Sequence, residues 1–232
     1  MTRFKICGLR ETGHAVTAAE AGADFLGFVF VHGVRRQLSE EQAAAIIQEY
    51  RTLKGPGGPS LVGLFANQPL EEVNRIIERC SLDFAQLCGD ERPDYWRHVE
   101  APIIKQVRVS AEGERGAMVA EVLRRVDEVV SGGQTALLDR HEKGALGGTG
   151  LSFDWGIAAE VAERFDFLLA GGLTPENVGR AIGTAKPWGV DVSSGVETDG
   201  VKDPGKITAF AEEVQRASRG LKKSQGADVH PN

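Results

Sequence analysis

Cysteine is scarce in this chain. There are three, Cys7, Cys80 and Cys88, an odd and widely spaced set that excludes a disulfide framework. Free thiols at this frequency suit the reducing cytosol, and a cytoplasmic location is expected. The five histidines (His14, His32, His98, His141, His230) are scattered, and no Cys-x-x-Cys or His-x-His cluster occurs. No metal and no cofactor are therefore expected. No apolar run approaches the ~20 residues that a membrane span needs. The chain enters a strand at once, so no secretory leader is expected. There is no excess of basic charge: 27 Lys and Arg stand against 33 Asp and Glu, a net charge of −6. That balance gives no reason to expect a nucleic-acid partner.

What is present is a regular beat. Short apolar runs predict strands over 3–7, 25–30, 60–66, 83–87, 103–109, 135–138, 167–170 and 189–193. Helical patterns follow each, over 11–21, 40–51, 69–80, 93–99, 114–130, 153–164, 175–184 and 204–219. Ser39 three residues before Gln42 suggests a capping box. Thr174-Pro175 and Asp203-Pro204 place a cap residue before a proline at the first helical position. Eight strand–helix units in 232 residues predict a single (βα)8 TIM barrel of parallel strands over 1–219. An open doubly wound sheet is the competing arrangement. Residues 220–232 form a polar C-terminal tail that is expected to fray. Gly55-Pro56-Gly57-Gly58-Pro59 reads as a stiff loop, not a linker.

In such a barrel all C-terminal strand ends meet at one mouth, which makes neighbours of distant residues. Cys7 ends the first strand and Asp139 follows the sixth, so a thiol and a carboxyl face one pocket as an acid/base pair. Each has a plainer reading: Cys7 as a small core residue, Asp139 as a turn cap. Strand alternation turns Phe4 and Ile6 toward the helices and Lys5 and Cys7 into the lumen. Val190 and Val192 likewise face helices, leaving Asp191 and Ser193 inside. Closure then pairs Lys5 with Asp191 beneath Cys7.

Gly171-Gly172 follow the seventh strand, and Ser193-Ser194-Gly195 follow the eighth. Those two loops are the frequent phosphate site of this fold, where main-chain N–H groups hold the anion. Gly171, Gly172, Ser194 and Gly195 are therefore candidate phosphate binders. Arg36, after the second strand, is a candidate clamp for a carboxylate. Gly147-Gly148-Thr149-Gly150 suits a flap over 140–150.

At these residues the chain resembles the phosphoribosylanthranilate isomerases of tryptophan biosynthesis. The likeness runs from Lys5-Ile6-Cys7-Gly8 to Lys202-Asp203. It includes 22–28, Gln86-Leu87, Leu137-Leu138-Asp139, Ala170-Gly171-Gly172-Leu173 and the run from Gly189 to Glu197. It implies an Amadori rearrangement without metal, in which Asp139 is the general acid and Cys7 the general base. Arg36 matches the arginine that holds the anthranilate carboxylate. Burial of Asp139, and a positive field at Cys7 from Lys5 or Arg36, are expected to tune the pair. The implied partner is a small phosphosugar substrate, acting on a monomer or homodimer, with no membrane.

Three departures from the family pattern stand out. Val34-Arg35 replaces Ser-Pro, Cys88 replaces a histidine, and Arg140 replaces a small hydroxyl residue. All three bear on the anthranilate end or the flap. The alternatives are the same chemistry on another phosphoribosyl amine, or a phosphate-binding barrel without catalysis.

Overall fold

A computed structural model describes residues 1–110, 113–140 and 154–227, with side chains to residue 221. The flap glycines 147–150 lie outside the described residues. Eight parallel strands close into a barrel in sequence order: β1 (Arg3–Cys7), β2 (Phe25–Val29), β3 (Ser60–Phe65), β4 (Phe84–Leu87), β5 (Ile103–Val109), β6 (Thr135–Arg140), β7 (Phe167–Leu169) and β8 (Gly189–Val192). The closing pair is β1 on β8, in a register that sets Lys5 opposite Asp191. Around it run α1 (Thr12–Glu20), α2 (Glu40–Lys54), α3 (Leu70–Cys80), α4 (Pro93–Trp96), α5 (Arg115–Ser131), α6 (Trp155–Ala162), α7 (Val178–Ala185) and α8 (Pro204–Ala227). A two-stranded ribbon, β9 (Glu197–Thr198) with β10 (Val201–Lys202), precedes α8. No helix among the described residues is long and apolar enough to cross a membrane.

Strand alternation divides the core into two layers. Phe4, Ile6, Val190 and Val192 belong to the layer between sheet and helices. Cys7, Phe25, Val62, Ile104, Leu137 and Leu168 belong to the lumen. Phe4 meets Phe210 of α8 edge-on at 6.3 Å, which docks the last helix against the first strand. Lower in the lumen, Phe25 packs edge-on against Phe84 at 5.7 Å and tilted against Trp188 at 6.0 Å. The Arg3 guanidinium sits 4.4 Å from the Trp188 ring centroid. Each such buried aromatic is worth about 1.5–3 kcal/mol. The N-terminal end of the barrel is thus an apolar plug, and the polar lumen residues are displaced toward the other end.

Helix starts follow their caps. Ser39 Oγ accepts from Gln42 N, and Ser39 N donates to Gln42 Oε1, which completes the capping box. Asp203 Oδ1 accepts from Gly205 N and Lys206 N at the head of α8. Three boundaries differ from the sequence reading. The helix expected from Pro175 begins at Val178, because the Asn177 side chain bonds back to Thr174 N and Gly172 O and holds 174–177 as a turn. β6 runs to Arg140 rather than Leu138, since β5 extends to Val109 and offers ladder partners to Asp139 and Arg140. α8 continues through Gly220 to Ala227.

Candidate active site

One pocket at the barrel mouth is lined by Cys7, Arg36, Asp139, Asp191 and Ser193, together with Val34, Gln86, Cys88 and Gln106. It joins the ends of β1, β4, β5, β6 and β8 with the loop after β2. Lys5 lies beneath, fully buried. Gly171, Gly172, Ser194 and Gly195 do not line this pocket. They stand in the loops after β7 and β8, with Ser194–Val196 forming a short 3-10 turn.

Cys7 is 4% exposed and is the last residue of its strand. The chain then turns at Gly8, whose φ of 79° favours glycine. A Cβ there would come within 2.5 Å of Arg36 Cδ, so the glycine lets the arginine stem cross the thiol loop. Burial raises the Cys7 pKa, Lys5 opposes this, and Asp191 adds to it. The sequence reading expected a positive field from Lys5 or Arg36 to carry the thiol toward thiolate. Lys5 and Lys202 do supply that field, but burial outweighs it and the thiol stays above its ordinary value. Arg36 is instead committed to Glu197.

Lys5 Nζ lies 3.0 Å from Asp191 Oδ1, both inside the barrel. Burial works against the Lys5 charge, yet Asp191 and Cys7 hold its pKa above the ordinary value. A pair so placed fixes each charge by the other, and removing one partner would strand the second.

Asp139 occupies the penultimate position of β6. Its Oδ2 accepts from Gln106 Nε2 at 2.7 Å, and its Oδ1 accepts from Arg140 N at 2.8 Å. Burial, then the Asp191 charge, raises its pKa from 3.8 to about 6, against those two donors and Arg108. The Arg140 contact is main-chain, so the departure from a small hydroxyl residue leaves it intact.

The second cluster gathers around Glu197. Arg36 grips it with two bonds, Nε to Oε1 at 2.7 Å and Nη2 to Oε2 at 2.9 Å. Arg35 Nη2 adds a third at 2.6 Å and Lys202 Nζ a fourth at 2.8 Å. Burial would raise the Glu197 carboxyl, but the bonds from Arg36, Lys202 and Arg35 pull it down to about 2. Three cations against one anion leave the rim positive. Cys88, buried beneath Gln86 Nε2 at 3.4 Å, is pushed up by burial to about 12 and stays a neutral thiol.

The rim loops touch one another. A Cβ at Gly195 would collide with the Leu173 carbonyl oxygen, so only glycine allows the loop after β8 to lie against the loop after β7. Asn177 ties that second loop down at Gly172 O, 2.8 Å away.

Sequence reasoning missed Gln106, Glu197 and Lys202. Gln106 had a signal: alternation sets Ile104, Gln106 and Arg108 on one face of β5, so polar side chains enter the lumen beside Asp139. Glu197 had none, since its cation partners Arg35 and Arg36 lie far away in sequence.

Residues 4–213 match the family model described as N-(5'phosphoribosyl)anthranilate (PRA) isomerase. The N-(5'-phosphoribosyl)anthranilate isomerase of Dehalococcoides mccartyi is 45% identical over 217 residues, 94% of this chain and 97% of that one. The enzyme of that name from Roseiflexus castenholzii is 44% identical over 220 residues, 93% of this chain and 99% of that one. The crystal structure of phosphoribosyl anthranilate isomerase from Thermotoga maritima superposes with a TM-score of 0.79 at 33% identity, covering 93% of this chain and all of that one. A phosphoribosyl anthranilate isomerase solved in complex with reduced 1-(o-carboxyphenylamino)-1-deoxyribulose 5-phosphate superposes with a TM-score of 0.76 at 31% identity, with 93% and 100% covered. With its closed barrel, its thiol and carboxyl on one pocket and this likeness along nearly its whole length, the chain belongs to the N-(5′-phosphoribosyl)anthranilate isomerase family.

Proposed function

We propose that Asp139 and Cys7 divide the proton transfers of the family's reaction between them. The chain isomerises N-(5′-phosphoribosyl)anthranilate to 1-(2-carboxyphenylamino)-1-deoxyribulose 5-phosphate in tryptophan biosynthesis, an intramolecular aldose–ketose rearrangement. Asp139, keeping its proton to about pH 6, delivers it to the ring oxygen of the sugar. The C1′–O bond breaks, its electron pair goes to that oxygen, and the anilinic nitrogen lone pair forms the C=N bond. The resulting iminium carries positive charge beside Cys7. That charge favours the thiolate, which the resting environment does not, and it acidifies the C2′ proton. Cys7 then takes the C2′ proton, giving an enolamine that tautomerises to the ketone.

Binding falls to the rim. The loops holding Gly171, Gly172, Ser194 and Gly195 offer main-chain N–H groups to the phosphate. Arg36 meets the anthranilate carboxylate with the guanidinium edge that Glu197 leaves open. Lys5 and Asp191 set the field under both catalytic groups. The three free cysteines fit a reducing cytoplasm as the place of reaction.

The observation that carries this reading is the shared pocket wall: Cys7 and Asp139 line one cavity, with Asp191 acting on both. Substrate fluorescence falls as the adduct is rearranged, which gives the assay. Cys7→Ala and Asp139→Ala should each lower turnover by roughly 10²-fold or more. Full turnover in Cys7→Ala would remove the base from this account.

A further inference from the structure

Gln106 stands where an apolar residue would serve the fold better. It is 5% exposed on the lumen face of β5, and its neighbour two positions back on that face is Ile104. Among the described residues its Oε1 has no hydrogen-bond partner. A buried amide with its acceptor unmet destabilises a fold relative to an aliphatic side chain of similar volume. Its donor is committed to one place, Asp139 Oδ2, at a short 2.7 Å. Both residues line the mouth pocket.

We propose that Gln106 is a positioning residue for the acid step: its amide N–H aims the Asp139 carboxyl at the pocket and stabilises the carboxylate left behind when the proton has gone. The inference rests on Asp139 being the acid. In that step the Asp139 O–H bond breaks and the ring O–H bond forms, and the negative charge stays on Asp139. Oδ1 is fixed by Arg140 N and Oδ2 by Gln106 Nε2, so the carboxyl plane is held at both ends.

The charged groups around Asp139 come from several elements. Asp191 of β8 raises its pKa, Arg108 of β5 lowers it, and Arg36 and Cys7 share the pocket. Arg108 is a shared donor, bound also to Cys88 O at 2.6 Å and Asp90 Oδ1 at 3.4 Å. Gln106 gives its donor to Asp139, which makes it the cleaner lever.

The experiment measures kcat, KM and the pH dependence of kcat/KM for the wild type, Gln106→Leu, Gln106→Glu and Asp139→Ala, with thermal midpoints for all four. Gln106→Leu should lose about 10- to 100-fold in kcat, with KM within about twofold, for one lost charge-assisted bond. Its thermal midpoint should hold or rise. The inflection of log kcat/KM near pH 6 should move upward in Gln106→Leu and further in Gln106→Glu, where two carboxyls share one site. An unmoved inflection in both variants overturns the inference, as does a kcat loss matched by a lost folded fraction. An inactive Asp139→Ala beside an undiminished Gln106→Leu overturns this inference alone. An active Asp139→Ala overturns the acid assignment beneath it.

Discussion

Asp139→Asn should make the protein more stable while stopping its chemistry. The wild-type carboxyl is raised from 3.8 to about 6 in the fold. At about 1.4 kcal/mol per pH unit, the ionised group costs the folded state about 3 kcal/mol as an upper figure. Asp139 keeps some exposure at the pocket, so about 2 kcal/mol is the working value. The sign follows from which state holds the proton. Between pH 4 and 6 the unfolded chain releases it while the folded chain keeps it, so wild-type stability falls as pH rises through that window and stays lower above it. Asparagine does not titrate. It keeps the acceptor for Arg140 N, and its own amide N–H can meet Gln106 Oε1, the atom now without a partner. Denaturant unfolding from pH 4 to 8, followed by the fluorescence of Trp96, Trp155 and Trp188, gives both curves. The stability of Asp139→Asn minus wild type should climb by about 2 kcal/mol across the window, and turnover should fall by roughly 10²-fold or more. A difference that is flat with pH, or a wild type that is the more stable at pH 8, would refute the reasoning.

Lys5→Met should cost about 3–5 kcal/mol by leaving Asp191 buried without its cation, and most of that should return in Lys5→Met with Asp191→Leu. A double-mutant cycle in denaturant reads the coupling, and a single-variant loss under about 1 kcal/mol would count against it. Gly195→Ala forces the two rim loops apart at the Leu173 carbonyl. It should raise KM by about tenfold or more with a smaller change in kcat, because the lost contacts hold the phosphate and not the reacting carbons. An unchanged KM in steady-state assays would mean that the phosphate lies elsewhere.

The barrel was legible because its two periods are simple. Apolar side chains at alternate positions in 3–7 and 189–193 name which residues face helices, and closure then forces Lys5 against Asp191. Cys7 and Asp139 were legible because a strand end in this fold is also a pocket wall. Glu197 was not, since its role depends on two loops meeting, Arg35-Arg36 after β2 and the turn after β8, 161 and 162 positions apart in the chain. The field at Cys7 was misjudged for a related reason. Sequence gives the sign of nearby charges but not the degree of burial, and here burial outweighs Lys5 and Lys202. The late start of α7 was hidden in one side chain, Asn177, whose amide competes with the helix for the main chain of 172–174.

A crystal structure of this chain with reduced 1-(o-carboxyphenylamino)-1-deoxyribulose 5-phosphate bound tests the acid–base assignment most directly. The account places Cys7 Sγ within about 4 Å of C2′ and an Asp139 carboxyl oxygen within about 3.2 Å of the former ring oxygen, from opposite sides of the sugar chain. Either group lying beyond reach of its atom, with no bridging water, would contradict it.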